Sequence, residues 1–194
     1  MKKMIRFASF AALCAFALQL TGCANLKMSA PVASLDNTAT LRAANLAPAN
    51  VGSFVASKNM AALDKSASMR GANSVESPYD GSFTQYLRES LKVELAAAGL
   101  LDPNAATVVT GTMTDSDLDA AIGTGTGRLA ARFVVTRNGA VRFDRELKTT
   151  STWESSFMGA IAIPMAAQQY QGMYRKLITD LLNNAEFRKA MAKE

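Results

Sequence analysis

The chain has 194 residues, a formal net charge of +5, two cysteines and no histidine. Without histidine there is no Ser-His-Asp triad, no Cys-His nucleophile and almost no zinc chemistry. An enzyme built from this sequence would have to work with carboxylates, Lys, Ser, Thr or Tyr.

The chain opens with MKKMIRFASFAALCAFALQLTGC. Lys2, Lys3 and Arg6 form a basic head, and Ile5 to Leu20 is largely apolar, interrupted by Arg6, Ser9 and Gln19. A membrane span needs about 20 consecutive apolar residues, so this run fits a secretory signal better. It ends in Leu20-Thr21-Gly22-Cys23, which resembles the bacterial lipobox. The resemblance implies cleavage before Cys23, a thioether-linked diacylglycerol on its sulfur and a third acyl chain on the new amino group. One acyl chain binds a bilayer only marginally, at about 0.8 kcal/mol per buried methylene, whereas three on one residue make release negligible. The expected layout is a signal over 1–22, a lipid-anchored tether over 23–35 and a single periplasmic domain over 36–194. Ala24 stands where an Asp would direct retention under the enterobacterial sorting rule, so by that resemblance the destination is the periplasmic face of the outer membrane.

The mature chain of 172 residues carries 18 Lys and Arg against 16 Asp and Glu. That balance, without a basic run, excludes a nucleic-acid footprint. A chain of this length buries about 70% of its unfolded surface, enough for one core. Cys14 leaves with the signal and Cys23 carries lipid, so the domain has neither a thiol nor a disulfide and its fold rests on packing alone.

MSAPVASL and ATLRAANL read as short strand or strand-helix pieces. NVGSFVAS (50–57) has the β-branched and aromatic content of a strand, and residues 64–81, rich in Ser, Gly and Asn, read as a long loop. A helix follows: Ser82 and Gln85 match a capping box, Phe83, Tyr86, Leu87, Leu91, Leu95 and Ala98 recur at helical spacing, and Gly99 ends it. Glu94 is the one misfit on that stripe. Residues 106–113 read as a strand. Residues 127–153 form a hairpin in which Leu129, Ala131, Phe133 and Val135 alternate with Arg128, Ala130, Arg132 and Val134. Asn138-Gly139 is its two-residue turn. Val141, Phe143, Leu147 and Trp153 continue the apolar parity, and Arg145 breaks it, at a bulge or where the core ends. One apolar and one charged face predict a sheet covered on one side. Pro164 suits a first helical turn, Tyr170, Met173, Tyr174, Leu177, Ile178, Leu181 and Leu182 form an apolar stripe, and a short final helix follows. The expected class is α+β: an antiparallel sheet with two helices packed on one face, a β-α-β-β-β-α core.

Four stretches invite a functional reading. Asp115, Asp117 and Asp119 have the opening spacing of an EF-hand loop. But Ala120 stands where the turn needs Gly and Thr126 where a bidentate Glu belongs, so no metal is expected and the aspartates read as the end of a strand. Gly123, Gly125 and Gly127 are followed by no Lys-Ser/Thr and no helix, so they read as a hairpin connection, not a phosphate loop. TWESSFMGAIAIPMA (152–166) contains the sole tryptophan and a long apolar run. It reads as a buried strand-to-helix crossover, or as a partner or lipid contact through Trp153 and Phe157. Arg70 and Tyr79, in the 64–81 segment, are the other candidate partner-binding residues. No cofactor is expected.

The lipobox together with MRG, SPYDGSFTQYLRESLKVELAAAGLLD, RFVVTRNGAVRFDRELKTTSTWESSF and GAIAIPMAAQQYQGMYRKLITDLL resembles proteobacterial outer-membrane lipoproteins, YajG-like or auxiliary to ABC-type transport. The resemblance implies a small α/β domain on the periplasmic face and carries over Cys23 alone as a site. The expected role is a non-enzymatic envelope lipoprotein that docks or assists another envelope protein in transport or assembly. Activation of a periplasmic synthase is the alternative. A carboxylate-based cell-wall hydrolase is the third reading, which would need two carboxylates about 5–9 Å apart in a cleft.

Overall fold

The structure is a computed structural model and describes residues 25–193. Cys23 and the signal segment lie outside the described residues. The chain folds from Asn25 onward, in the order β1 (Asn25–Lys27), α1 (Leu35–Ala43), β2 (Asn50–Ala56), a 3-10 turn (Ala61–Leu63), β3 (Ala67–Ser68), β4 (Ser74–Glu76), α2 (Phe83–Ala98), β5 (Thr107–Asp119), β6 (Gly123–Arg137), β7 (Ala140–Ser155), α3 (Gly159–Asn183) and α4 (Ala185–Met191).

Four strands in the order β2-β5-β6-β7 make the main sheet. β6 runs antiparallel to both β5 and β7. β2 and β5 are parallel, because α2 carries the chain back across the sheet between them. The α+β class and the β-α-β-β-β-α core are as the sequence predicts, with this one parallel pair inside an otherwise antiparallel sheet. Val109, Met113, Leu129, Ala131, Phe133 and Phe143 point to the covered face and are buried. On the open face Arg128 pairs with Asp115 at 3.2 Å and Asp117 at 3.6 Å, and Arg132 pairs with Asp144.

Two bulges set these faces. The β5–β6 register slips between Met113 and Asp115, so the buried positions of β5 change from odd to even and Asp115, Asp117 and Asp119 turn outward. The aspartates therefore lie at the end of a strand, as their pattern predicts. In β7 the extra residue is Arg142, between Val141 and Phe143, and not Arg145. Arg145 stays in register opposite Phe133, where its guanidinium reaches Glu186 of α4 at 2.9 Å. The turn behaves as predicted, with φ 51° at Asn138 and 80° at Gly139.

α2 and α3 cover the apolar face. Ser82 caps α2 through its Oγ, which accepts from Gln85 N, and Gly99 closes it in the left-handed conformation. Phe83, Tyr86, Tyr170 and Tyr174 form an aromatic cluster between the two helices, with centroid separations of 5.0 Å for Tyr86–Tyr174 and 5.2 Å for Phe83–Tyr170. Tyr174 donates to Tyr170 Oη at 3.0 Å, and Tyr170 shares a 2.5 Å hydrogen bond with Ser116 of β5. The misfit Glu94 is buried and works as a tie. Its carboxylate accepts from Ser34 N at 3.1 Å and Asn37 Nδ2 at 2.9 Å, holding the amino end of α1 against α2. α1 itself had been legible only as a strand-helix fragment.

Other expectations are corrected. Residues 64–81 are not one long loop but hold β3 and β4, which join β1 in a second sheet of order β1-β4-β3. Residues 25–35, read as part of a tether, belong to the fold: β1 pairs with β4, and Met28 is buried with its N–H on Glu76 O at 2.9 Å. α3 starts at Gly159, so Pro164 falls in its second turn, where the missing N–H would have met the carbonyl of the exposed Ala160. Gly125 and Gly127 are strand residues of β6, not a connection. A Cβ on Gly125 would lie 2.2 Å from the Trp153 ring, and one on Gly127 2.7 Å from Met173 Sδ.

Gly125→Ala should therefore lower stability by about 1–3 kcal/mol through overpacking, measured by urea unfolding followed on Trp153 fluorescence. A second expectation concerns alkali. Burial pushes both Tyr86 and Tyr170 up to about 12 from 10.0. The unfolded chain then loses these protons before the folded one does. Stability contributed by the two hydroxyls is full below pH 10 and falls as the pH rises toward 12. The slope is about 1.4 kcal/mol per pH unit for each tyrosine ionised only when unfolded. Urea midpoints at pH 9 and 11.5 compared with those of Tyr170→Phe measure it.

Candidate functional site

Two open grooves lie at opposite ends of the main sheet. The first is built where the β5–β6 connection meets the crossover from β7 to α3. Gly123 and Ser155 pair across the last rung of β6 and β7. Trp153 faces inward from β7 and is held against Gly125, which leaves it 9% exposed. Past Ser155 the chain turns into α3, and on its outward side stand Phe157 (77% exposed), Met158, Ile161 and Met165. Ile122, at the tip of the β5–β6 connection, is 69% exposed beside them. Ile122, Phe157, Ile161 and Met165 border a groove of about 840 Å³ with Trp153 in its wall. Trp153 Nε1 is buried with no hydrogen-bond partner among the described residues.

Arg70 braces this end from the turn between β3 and β4. Its Nε donates to Ala120 O at 2.6 Å. Its Nη2 reaches Ser156 O at 2.9 Å and Ser155 Oγ at 3.1 Å, and its Nη1 reaches Phe157 O at 3.4 Å. The planar fork thus satisfies carbonyls of both the β5–β6 connection and the crossover, and Ser155 Oγ of β7 also donates to Ala120 O at 3.2 Å. The turn is closed by Asn73, whose Nδ2 donates to Arg70 O at 2.7 Å.

The second groove, of about 600 Å³, lies at the β6–β7 turn and α4, with Arg142, Glu186, Lys189 and Lys193 in its walls. Arg137 is buried beneath it, donating to Thr107 Oγ1 at 3.0 Å and Ala192 O at 2.9 Å.

Of the four residues singled out in the sequence, the structure brings Arg70, Trp153 and Phe157 to one end. Arg70 donates to internal acceptors, Trp153 is mostly core, and Phe157 is presented to solvent. Tyr79 is placed elsewhere, half-buried, with its ring 6.2 Å from Tyr86. Ile122 was not anticipated. Its signal was a large apolar residue at the position before Gly123, where a connection favours polar residues. Cys23 lies outside the described residues.

No family model matches the chain, and no curated protein matches its sequence. Solved structures do resemble it. Protein XCC0632 from Xanthomonas campestris, of the family DUF330, is 11% identical, with 85% of this chain and 96% of that one covered at a TM-score of 0.57. A candidate lipoprotein from Caulobacter crescentus CB15 is 13% identical, with 82% and 98% covered at 0.44. A minor lipoprotein from Acinetobacter baumannii is 16% identical, with 74% and 91% covered at 0.37. The chain is an α+β protein that shares the fold of the Xanthomonas protein. Among the described residues no helix is long and apolar enough to cross a membrane.

Arg70→Lys should lower stability by about 1–3 kcal/mol, because an ammonium cannot serve both segments and leaves carbonyls unpaired. Amide exchange should rise at residues 120–123 and 156–158 while the β5–β6–β7 centre stays protected.

Proposed function

We propose that this protein is a non-enzymatic lipoprotein of the cell envelope, held by acyl chains on Cys23 at the periplasmic face of the outer membrane, where it docks or assists another envelope protein in transport or assembly. The observation that carries the reading is Leu20-Thr21-Gly22-Cys23 behind a basic and apolar signal, with β1 two residues later at Asn25. The placement of the acidic residues favours docking over hydrolysis. Asp115 and Asp117 share Arg128 on the open face of the sheet, and the buried Glu94 is engaged by α1. Neither arrangement places two carboxylates in a cleft on either side of a bond to be cut. The finer likeness, to YajG-like or ABC-transport auxiliary lipoproteins, rests on the sequence motifs and belongs to this proposal. An anchor beside Asn25 leaves the basic groove pointing away from the bilayer, about 50 Å distant along the 15 residues of β6. That end suits a partner with an acidic surface.

Cys23→Ala should move the protein from the outer-membrane fraction to the soluble periplasm. Mass spectrometry of the wild-type amino terminus should find a chain that begins at an acylated Cys23. Tight membrane retention of the alanine variant would count against the anchor.

A further inference from the structure

The apolar groove and Asn25, the first described residue, are at the same end of the molecule. Asn25 sits opposite Ser74 in the β1–β4 pair, and Ser74 Oγ donates to Asn25 Oδ1 at 3.3 Å. Ser74 directly follows the turn from which Arg70 reaches the carbonyls of Ser156 and Phe157. A short run of backbone and hydrogen bonds thus leads from Asn25 to the side chains that border the groove. Cys23 is two residues upstream, so at most about 7 Å of extended chain separates it from Asn25.

This geometry restricts what can cover the groove. An acylated Cys23 sits at the headgroup level, and the end of the domain carrying Asn25 must then lie against the bilayer surface. A docked helix is about 10 Å across, wider than the chain between lipid and fold allows. The exposed residues are of the kinds that enter an interface: an aromatic ring at 157, branched aliphatics at 122 and 161, and a flexible methionine at 165. Glu154 lines the same groove but extends from the opposite face of β7 to Trp153. Arg70 directs its donors to carbonyls and the Ser155 hydroxyl at this end, so its guanidinium is hydrogen-bonded there.

We infer that this end is a second membrane contact. Ile122, Phe157, Ile161 and Met165 enter the interfacial region of the leaflet that receives the acyl chains, and hold the domain in a fixed orientation. This rests on the proposed acylation of Cys23, which supplies the anchor but by itself leaves the domain free to tip.

Trp153 provides the probe, being the sole tryptophan and part of the groove wall. The full mature protein, acylation checked by mass, is reconstituted into vesicles of phosphatidylethanolamine and phosphatidylglycerol with acyl-brominated phosphatidylcholine. Bromine should quench Trp153. Phe157→Ser with Ile161→Ser, both at solvent-exposed positions, should restore the fluorescence while the protein stays vesicle-bound. An acylated, vesicle-bound wild type with unquenched Trp153 overturns the inference and leaves the anchor standing, as does quenching that the double variant retains. A crosslink from position 157 to a second copy or another protein in envelopes also overturns it. A mature chain without acyl mass removes the anchor, and the inference with it.

Discussion

The guanidinium of Arg70 connects three parts of the chain: the turn between β3 and β4, the connection at Ala120 and the crossover at Ser155 to Phe157. Both receiving segments leave the main sheet at its end, where strand carbonyls lose their ladder partners and must be satisfied some other way. Arg suits the position because its donors are fixed in a plane and diverge. A Lys would offer one mobile point charge. The contact helps dock the three-stranded sheet onto the four-stranded one, together with the burial of Met28, Met69 and Val75 in the common core. Since β1 belongs to the smaller sheet, it also determines where the amino end of the folded chain leaves the surface.

The larger sheet is shaped by where side chains are missing. Gly111 lies beneath Phe54, Gly125 beneath Trp153 and Gly127 beneath Met173. In each pair a large neighbour occupies the volume that a Cβ would need, so the covered face packs without voids while each glycine forgoes its own side chain. The open face has the opposite character, with exposed arginines and carboxylates in cross-strand pairs that individually add little stability but keep a one-sided sheet soluble on its free side. The same one-sidedness gathers α1, α2, α3 and α4 on the other face. Glu94 is part of that arrangement. A carboxylate on an apolar stripe is tolerable because it receives the N–H of Ser34 and the amide of Asn37 at the start of α1.

What could be read from the sequence was what depends on neighbours a few residues away. The Ser82 cap, the Asn138-Gly139 turn, the stripe from Tyr170 to Leu182 and the alternation around Phe133 are all local patterns, and each folds as its spacing predicts. β3 and β4 escaped because strands of two and three residues have no period to detect, and the β1 strand that pairs with β4 lies about 50 positions away in sequence. Gly125 and Gly127 misled because a glycine that makes room for a ring looks, in sequence, like a glycine that makes a turn. The bulge in β7 fell at Arg142 instead of Arg145 because an outward arginine leaves no mark on the alternation, whereas an inward one does. At the candidate site the apolar run from Phe157 to Met165 was visible. Its juxtaposition with Arg70 and Ile122 was not, since that is a product of the hairpin length and of the small sheet's docking.

Such an arrangement gives the domain two chemically distinct ends. Along β6 the chain runs from Gly123, beside Trp153 and the exposed Phe157, to Arg137, beneath the groove of Arg142, Lys189 and Lys193. Under the proposed anchoring at Cys23, a long flexible linker would make this polarity irrelevant, because the domain would sample all orientations. On the proposed acylation of Cys23, β1 at Asn25 narrows that freedom without abolishing it, and the inferred membrane contact fixes what remains. The rigidity that counts is then the coupling of β1 to the main sheet, carried by the β4 pairing and by Arg70. Under the proposed anchoring, the half-buried Arg70 thereby acts on which end of the domain faces away from the bilayer.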